Sequence, residues 1–351
     1  MLNLRCFKAG KGDCFLLTWE KGQTHRLLID SGIEGTYRFF GPLVRDFTEN
    51  DSIVITHVDY DHIGGIFKWL NDDQQPINPS VGFYMNTPQL LITPEQSDKV
   101  GIEHGINLEE LLKETGITPR PLFLYQYEDN ILHLNGLQLK ILSPTSEVLK
   151  KLIKEWTARE IYQNYLDKKL EDNDKVSAKG ISNNRSKDDI LNNAPQPHQW
   201  NKDLLNSSSI AFVLSFNDAN ILFMGDSNPD LVADELSDQG YTPDNKLPLE
   251  MLKISHHGAK YNTTKRLLEI IDCSDYLIST DSSGPYYHPS RETLILISEY
   301  GRSSRDKPIV IYSNYSLDID KLLSEDERFN IEFKEIEQLE IVKKKDDGTF
   351  E

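Results

Sequence analysis

The sequence predicts an α/β (α+β) fold in which two mixed β-sheets carry helices on their outer faces. Three observations lead there. Apolar runs of strand length alternate with stretches of helical periodicity, hairpin-type sequences stand near both ends, and one strand runs straight into a turn rich in histidine and aspartate that opens a helix. With 351 residues, 38% of them hydrophobic, the chain can bury a substantial core, and no second domain with its own core and no solenoid repeat is visible. Residues 1–351 are therefore expected to form a single domain.

The elements follow in order. Residues 2–7, 14–19 and 26–29 alternate or run apolar like strands, and Lys21-Gly22-Gln23 supplies a hairpin turn between the second and third. Residues 37–47 have helical spacing; 53–55 form a short apolar strand before the histidine-aspartate turn, and 63–70 read as the helix after it. Further strands are expected at 81–85, 122–125, 137–142, 210–216, 219–224, 252–254, 276–279 and 309–313. Helices are expected at 108–115, 146–170, 229–239, 264–271 and 290–300. From about 171 to 201 the chain turns rich in Asp, Asn, Lys and Ser, so residues 146–205 are expected to be a helical and mobile insertion. Basic residues slightly outnumber acidic ones across this helix and insertion, which makes the region the best candidate for touching a polyanion.

The most informative segment is Thr56-His57-Val58-Asp59-Tyr60-Asp61-His62-Ile63-Gly64-Gly65. Two imidazoles and two carboxylates within six positions form the donor set of a two-metal site, because borderline divalent cations accept both ligand types. A turn that merely capped a helix would have no use for so many such side chains. The two glycines are expected to let the helix start without crowding the ions.

Composition narrows the substrates. A formal net charge of -18 excludes broad, non-specific attraction to nucleic acid or anionic lipid, so any phosphate chemistry must be local. Cys6, Cys14 and Cys273 are odd in number, lack metal-finger spacing and read as buried apolar side chains in a reducing compartment. The N-terminal strand lacks a secretory apolar region and no stretch is long enough to span a bilayer, which predicts a cytoplasmic protein with no membrane association.

Four later motifs extend the first. Gly225-Asp226 ends an apolar strand and places a carboxylate where it could bridge two ions; Ser255-His256-His257-Gly258 ends another with paired histidines. Tyr286-Tyr287-His288-Pro289 follows a third strand, with the proline holding His288 extended before a helix. Gly10-Lys11-Gly12-Asp13 and Asp30-Ser31-Gly32 flank the first hairpin, either as simple turns or as supports beside the site.

In that order these motifs resemble the metallo-β-lactamase fold superfamily, and the variant with Asp59 in place of the usual second histidine resembles the hydrolase domain of ComEC-type competence proteins and its stand-alone soluble relatives. The resemblance implies an αββα sandwich with the site at one edge between the sheets. It implies one metal held by His57, Asp59 and bridging Asp226, and a second held by Asp61, His62, Asp226 and His288. His256 or His257 would protonate the leaving group, and Asp61 would act as ligand, orienter of water, or both. Many members carry a further histidine ligand upstream of the bridging aspartate; here Asn206-Ser207-Ser208-Ser209 stands there, and His198 falls in the insertion. That leaves the first metal weakly held or water-completed, and its identity open between Zn²⁺ and Mn²⁺.

The implied activity is hydrolysis of a phosphodiester by a metal-activated hydroxide, as a nuclease or a cyclic- or oligonucleotide phosphodiesterase. Stand-alone relatives of this type further imply a place in bacterial anti-phage defence or nucleotide signalling, with a protein partner. Two competing readings share the sequence: hydrolysis of a lactone, thioester or β-lactam on the same centre, and a non-catalytic metal-binding scaffold or sensor subunit.

Overall fold

The computed structural model describes residues 1–87, 108, 111–156, 185–283, 287–304 and 306–341. Its strands are β1 (Leu2–Cys6), β2 (Phe15–Glu20), β3 (Thr24–Ile29), β4 (Ser52–Val54), β5 (Gly82–Tyr84), β6 (Ile131–Leu134), β7 (Leu137–Ser143) and β8 (Ala211–Phe216). They continue with β9 (Ala219–Phe223), β10 (Leu247–Pro248), β11 (Met251–Lys253), β12 (Ile271–Asp272), β13 (Asp275–Ile278), β14 (Ile309–Ser313), β15 (Ile331–Glu335) and β16 (Gln338–Ile341). One sheet has the order β16-β1-β2-β3-β4-β5 and the other β15-β14-β13-β11-β9-β8-β7-β6, with β10 and β12 as a small separate pair. Both large sheets are mixed. The first is antiparallel through β3 and parallel from β3 to β5; the second is antiparallel from β6 to β9 and parallel from β9 to β15.

The period-2 alternation of side chains sorts the apolar residues into three layers. Phe15, Leu17 and Trp19 of β2 point into the layer between the sheets, where they meet Leu139, Ile141, Phe212, Leu214 and Phe223 of the second sheet. Leu16, from the same strand, points outward onto a layer closed by Phe40, Val44, Ile63, Ile66 and Trp69 of the helices Tyr37–Val44 and Tyr60–Leu70. Beyond the second sheet, Val232, Leu236, Leu294 and Ile297 of the helices Pro229–Asp238 and Arg291–Tyr300 cover Val213, Leu222, Leu252 and Ile311. Helix, sheet, sheet, helix is the αββα sandwich the sequence predicts. Burying each large side chain of these layers contributes about 1.5–3 kcal/mol.

Some expectations change. Residues 122–125 form no ladder: the Asn86 side chain donates to the Leu122 carbonyl at 2.7 Å and accepts from its amide at 2.8 Å, so an amide side chain takes the place of a neighbouring strand. The pair β15 and β16, with sequences IEFKE and QLEI, carries too much charge to read as strand and is held at the sheet edges. The expected helix 146–170 is seen over Ser146–Trp156, and its remainder, with residues 171–184 of the insertion, lies outside the described residues. Within the described part of that segment, the helix Lys187–Asn192 is capped by Ser186 and buries Ile190 in the outer layer of the second sheet. The three cysteines are buried thiols. Among the described residues no helix is long and apolar enough to cross a membrane.

Candidate metal centre

The parallel parts of both sheets deliver their C-terminal loops to one edge of the sandwich, where open α/β sheets place their ligands. Asp30 follows β3 and His57 follows β4; Asp226, His256 with His257, and Ser279 follow the adjacent strands β9, β11 and β13. The amide of Ile210 donates to the Thr56 carbonyl at 2.9 Å, so the two sheets are joined at the site itself.

Each loop is shaped for this. Asp59 occupies the N-cap position of the helix Tyr60–Leu70, yet its side chain makes no capping bond, so the carboxylate is not spent on the helix end. His256 and His257 both adopt left-handed backbone, φ 48° and 56°, which turns the two rings in different directions. The glycines after His62 serve a purpose other than the expected one. A Cβ on Gly65 would stand 2.2 Å from the Ser31 carbonyl oxygen and one on Gly64 2.7 Å from the Glu34 amide, so they permit close packing of the helix against the 31–34 loop, not clearance around ions.

The histidines are held from behind. His62 Nδ1 lies 2.8 Å from Asp30 Oδ2, His57 Nδ1 3.1 Å from Thr56 Oγ1, and His257 Nδ1 2.8 Å from the Ser279 carbonyl. Asp30 also accepts from the Thr56 amide at 2.7 Å and its hydroxyl at 2.8 Å. Carboxylates, hydroxyls and carbonyls behind the far ring nitrogen are how proteins orient imidazole for a metal. The near nitrogens, Nε2 of His57, His62 and His257, together with Asp226 Oδ1, are buried and have no hydrogen-bond partner. Leaving four such atoms unsatisfied would cost about 1–3 kcal/mol each.

Their spacing fits a cation between them. His62 Nε2 stands 3.5 Å from Asp226 Oδ2, His57 Nε2 3.6 Å from Asp59 Oδ2, and His257 Nε2 3.7 Å from both Asp61 Oδ2 and Asp226 Oδ2. These separations are long for hydrogen bonds. They are close to the separation of about 3.4 Å between ligands that each lie about 2.0–2.1 Å from a tetrahedral ion. Among the described residues three compact donor groups result: His57, His62 and Asp226; Asp61, His62 and His257; and Asp13, Asp30 and His62.

Electrostatics agree. Burial works to raise the Asp226 carboxyl, but His62, His257 and His256 outweigh it and hold the group well below the usual carboxylate range. Asp59 is likewise held down against burial, chiefly by His57. His62 is pushed well above the ordinary imidazole value because Asp226 and Asp30 overcome its burial, and His257 is raised by Asp226 and Asp13. His288 behaves oppositely: burial, then the neighbouring His256 and His257, push it down to about 3.

Not every expected residue converges in the same way. His57, Asp59, Asp61, His62 and Asp226 come together, and His257 joins them as a third buried imidazole. His256 keeps 32% of its side chain exposed, with Nε2 4.0 Å from Asp226 Oδ2, and the His288 ring lies 5.9 Å from its own. In the stretch where a further histidine is usual, Ser209 Oγ accepts from the Asp226 amide at 3.2 Å and Asn206 Nδ2 reaches His256 Nδ1 at 3.4 Å. His198 instead lies on the Tyr261 ring, 4.7 Å between centroids. Nothing in the sequence flags Lys253 as part of the centre, whereas Asp13 and Asp30 stand in the flanking turns for which a supporting role is one of the two readings, and both reach its histidines.

Residues 8–77 match the sequence model of the metallo-beta-lactamase superfamily. Comparison with curated proteins gives no match. Among solved structures, the chain is similar to the metallo-beta-lactamase fold protein YhfI from Bacillus subtilis, at 11% identity over 97% of this chain and 100% of that one, with a TM-score of 0.43. It is also similar to a diphosphatase from the PhnP family, at 11% identity over 97% and 98% of the two chains with a TM-score of 0.42. CmlA, a diiron β-hydroxylase from Streptomyces venezuelae, overlaps at 11% identity over 82% of this chain and 46% of its own, with a TM-score of 0.38. Likenesses this loose add nothing to the layers seen directly.

Proposed function

For a chain whose residues 8–77 match the sequence model of the metallo-beta-lactamase superfamily, we propose metal-dependent hydrolysis of a phosphodiester at the centre just described. The observation that carries the reading is the convergence of three buried, unpartnered imidazole Nε2 atoms on Asp226, each imidazole fixed through Nδ1. In this reading His57, Asp59 and Asp226 hold one divalent cation, and Asp61, His62, His257 and Asp226 hold the other. The carboxylate-rich donor set suits Zn²⁺ or Mn²⁺. Bound there, the pair of cations would supply Lewis acidity, acidifying a water towards neutrality and offsetting the charge of the phosphate oxygens.

The chain's own groups do the rest. Asp61, half-buried beside His257, accepts a hydrogen bond from the attacking water and orients it. His256, the exposed member of the pair, delivers a proton from Nε2 of its imidazolium form to the leaving oxygen; Asn206, bonded to Asp203 at 2.8 Å, lies 3.4 Å from the far ring nitrogen. His288, a ligand by the resemblance, is left out of this set; its ring lies 5.9 Å from that of His256.

With a net charge of -18, the substrate is a small nucleotide, a short oligonucleotide, or single-stranded nucleic acid presented by a partner protein. A bacterial anti-phage or nucleotide-signalling role rests on the ComEC-type motifs alone.

The test is a substrate panel of single- and double-stranded DNA, RNA, cyclic mono- and dinucleotides and a generic phosphodiester, with Mn²⁺, Zn²⁺ or Mg²⁺, beside Asp61→Ala. Turnover lost in the variant supports the reading. Undiminished cleavage in Asp61→Ala assigns the activity elsewhere, and turnover only of lactone, thioester or β-lactam substrates replaces phosphorus by carbon as the centre attacked.

A further inference from the structure

Asp13 and Lys253 form a buried ion pair between the two sheets, with relative exposures of 1% and 0%. Asp13 comes from the loop before β2, in the first sheet; Lys253 is the last residue of β11, in the middle of the second. The ammonium also donates to the Gly225 carbonyl at 3.2 Å, one residue before Asp226. The carboxylate stands 3.5 Å from His257 Nδ1. Its loop is fixed in turn, since Ser279 Oγ donates to the Gly12 carbonyl at 2.7 Å and a Cβ on Gly12 would stand 1.7 Å from the Asp61 carbonyl oxygen.

Taking two charges out of water costs several kcal/mol for each, and a well-packed apolar pair of the same volume is commonly as stable or more so. Stability alone gives no reason for a lysine in the centre of a parallel sheet. Position does, because this pair touches the turn that carries one expected ligand and the ring of another. We propose that Asp13 and Lys253 are positioning residues of the metal centre, which lock the Gly225-Asp226 turn of one sheet and the His257 ring to the Gly12-Asp13 loop of the other. The assignment rests on the two-cation reading above. Its effect falls most on the cation shared by His257, Asp61 and Asp226, two of whose ligands the pair supports, and less on the one at His57 and Asp59, which shares only Asp226.

The experiment is a Zn²⁺ titration of metal-free protein, followed by calorimetry and by metal content after dialysis. It compares the wild type with Asp13→Asn/Lys253→Met, which leaves no buried charge unpaired. A second double variant, Arg26→Met/Asp51→Asn, removes an ion pair between half-buried Arg26 and buried Asp51 at the opposite end of β3 and β4 and reports what loss of such a pair does by itself. Thermal unfolding of each metal-free protein verifies the fold. The expected result is two equivalents in the wild type and the control pair, and in the Asp13/Lys253 variant one equivalent weakened about 10–100-fold and the other weakened less. Two wild-type equivalents in a folded Asp13/Lys253 variant overturn the proposal while leaving the metal centre standing. Equal weakening by the control pair overturns it too, and a wild type that binds no Zn²⁺ removes both the centre and the device that positions it.

Discussion

Asp30→Asn separates the orientation of a ligand from its presence. Asp30 Oδ2 receives both His62 Nδ1 and the Thr56 hydroxyl at 2.8 Å, while Oδ1 receives the Thr56 amide at 2.7 Å. An asparagine fits the same space with its oxygen on the Thr56 amide and its NH₂ turned to Thr56 Oγ1 and His62 Nδ1, each of which can accept. The Thr56 hydroxyl proton, which the carboxylate accepted, then turns to His57 Nδ1 at 3.1 Å. The change in metal-free stability stays within about 2 kcal/mol, a few degrees of thermal midpoint, since weaker neutral bonds are offset by removal of a buried charge. The imidazole, however, must now carry its proton on Nε2, the atom that faces the ligand cluster. Zn²⁺ affinity should fall about 10–100-fold, or about 1.4–2.7 kcal/mol, as for other changes behind a ligating histidine. Titration of metal-free protein gives the affinity, and the ¹⁵N shifts of the His62 ring give the tautomer. A folded variant that binds Zn²⁺ like the wild type, or whose His62 keeps its proton on Nδ1, would falsify this account of the centre.

Three further outcomes are expected. His256→Ala should slow cleavage of a diester with an alkoxide leaving group by about 10²–10⁴-fold and leave a nitrophenolate diester nearly unaffected, because only the poor leaving group needs a proton; equal losses on both would remove His256 from that role. Burial opposes but Asp226, Asp30 and Asp13 enforce raised values at His62 and His257, so both rings hold protons in the metal-free protein until pH rises past those values. A cation must displace them, so affinity should drop as pH falls below neutrality and calorimetry in buffers of different ionisation heat should detect proton release; its absence at pH 7 contradicts the assignment. Gly65→Ala, whose Cβ would lie 2.2 Å from the Ser31 carbonyl, should destabilise by about 1–3 kcal/mol in denaturant unfolding, and an unchanged midpoint would show that the helix is free to shift.

What could be read in the sequence was what is local. His57, Asp59, Asp61 and His62 lie in one turn, so their convergence needs only a strand end and a helix start, and the Gly-Asp after β9 announces itself in the same way. The division of labour between His256 and His257 depends on two successive left-handed residues, a backbone choice that neither side chain declares. The partnerships of Asp30 with His62 and of Asp13 with Lys253 span 32 and 240 residues and exist only once the sheets face each other. Strand signals failed where polar groups decided: Leu122 and Leu124 are buried as their apolar character predicts, but a side-chain amide satisfies the backbone of Leu122, and the alternation in β15 and β16 is blurred because they lie at exposed edges.

The last two strands impose an order of events on the making of the protein. β15 completes one sheet against β14, and β16 crosses to the other and pairs with β1, with Leu2 opposite Ile341. On a ribosome that adds about 5–20 residues per second, β1 keeps one edge open for tens of seconds until β16 follows it. An open edge of that kind is a template for the wrong strand, from the same chain or from a neighbour. Truncation before residue 331 would make this transient vulnerability permanent, uncovering β1 in one sheet and β14 in the other.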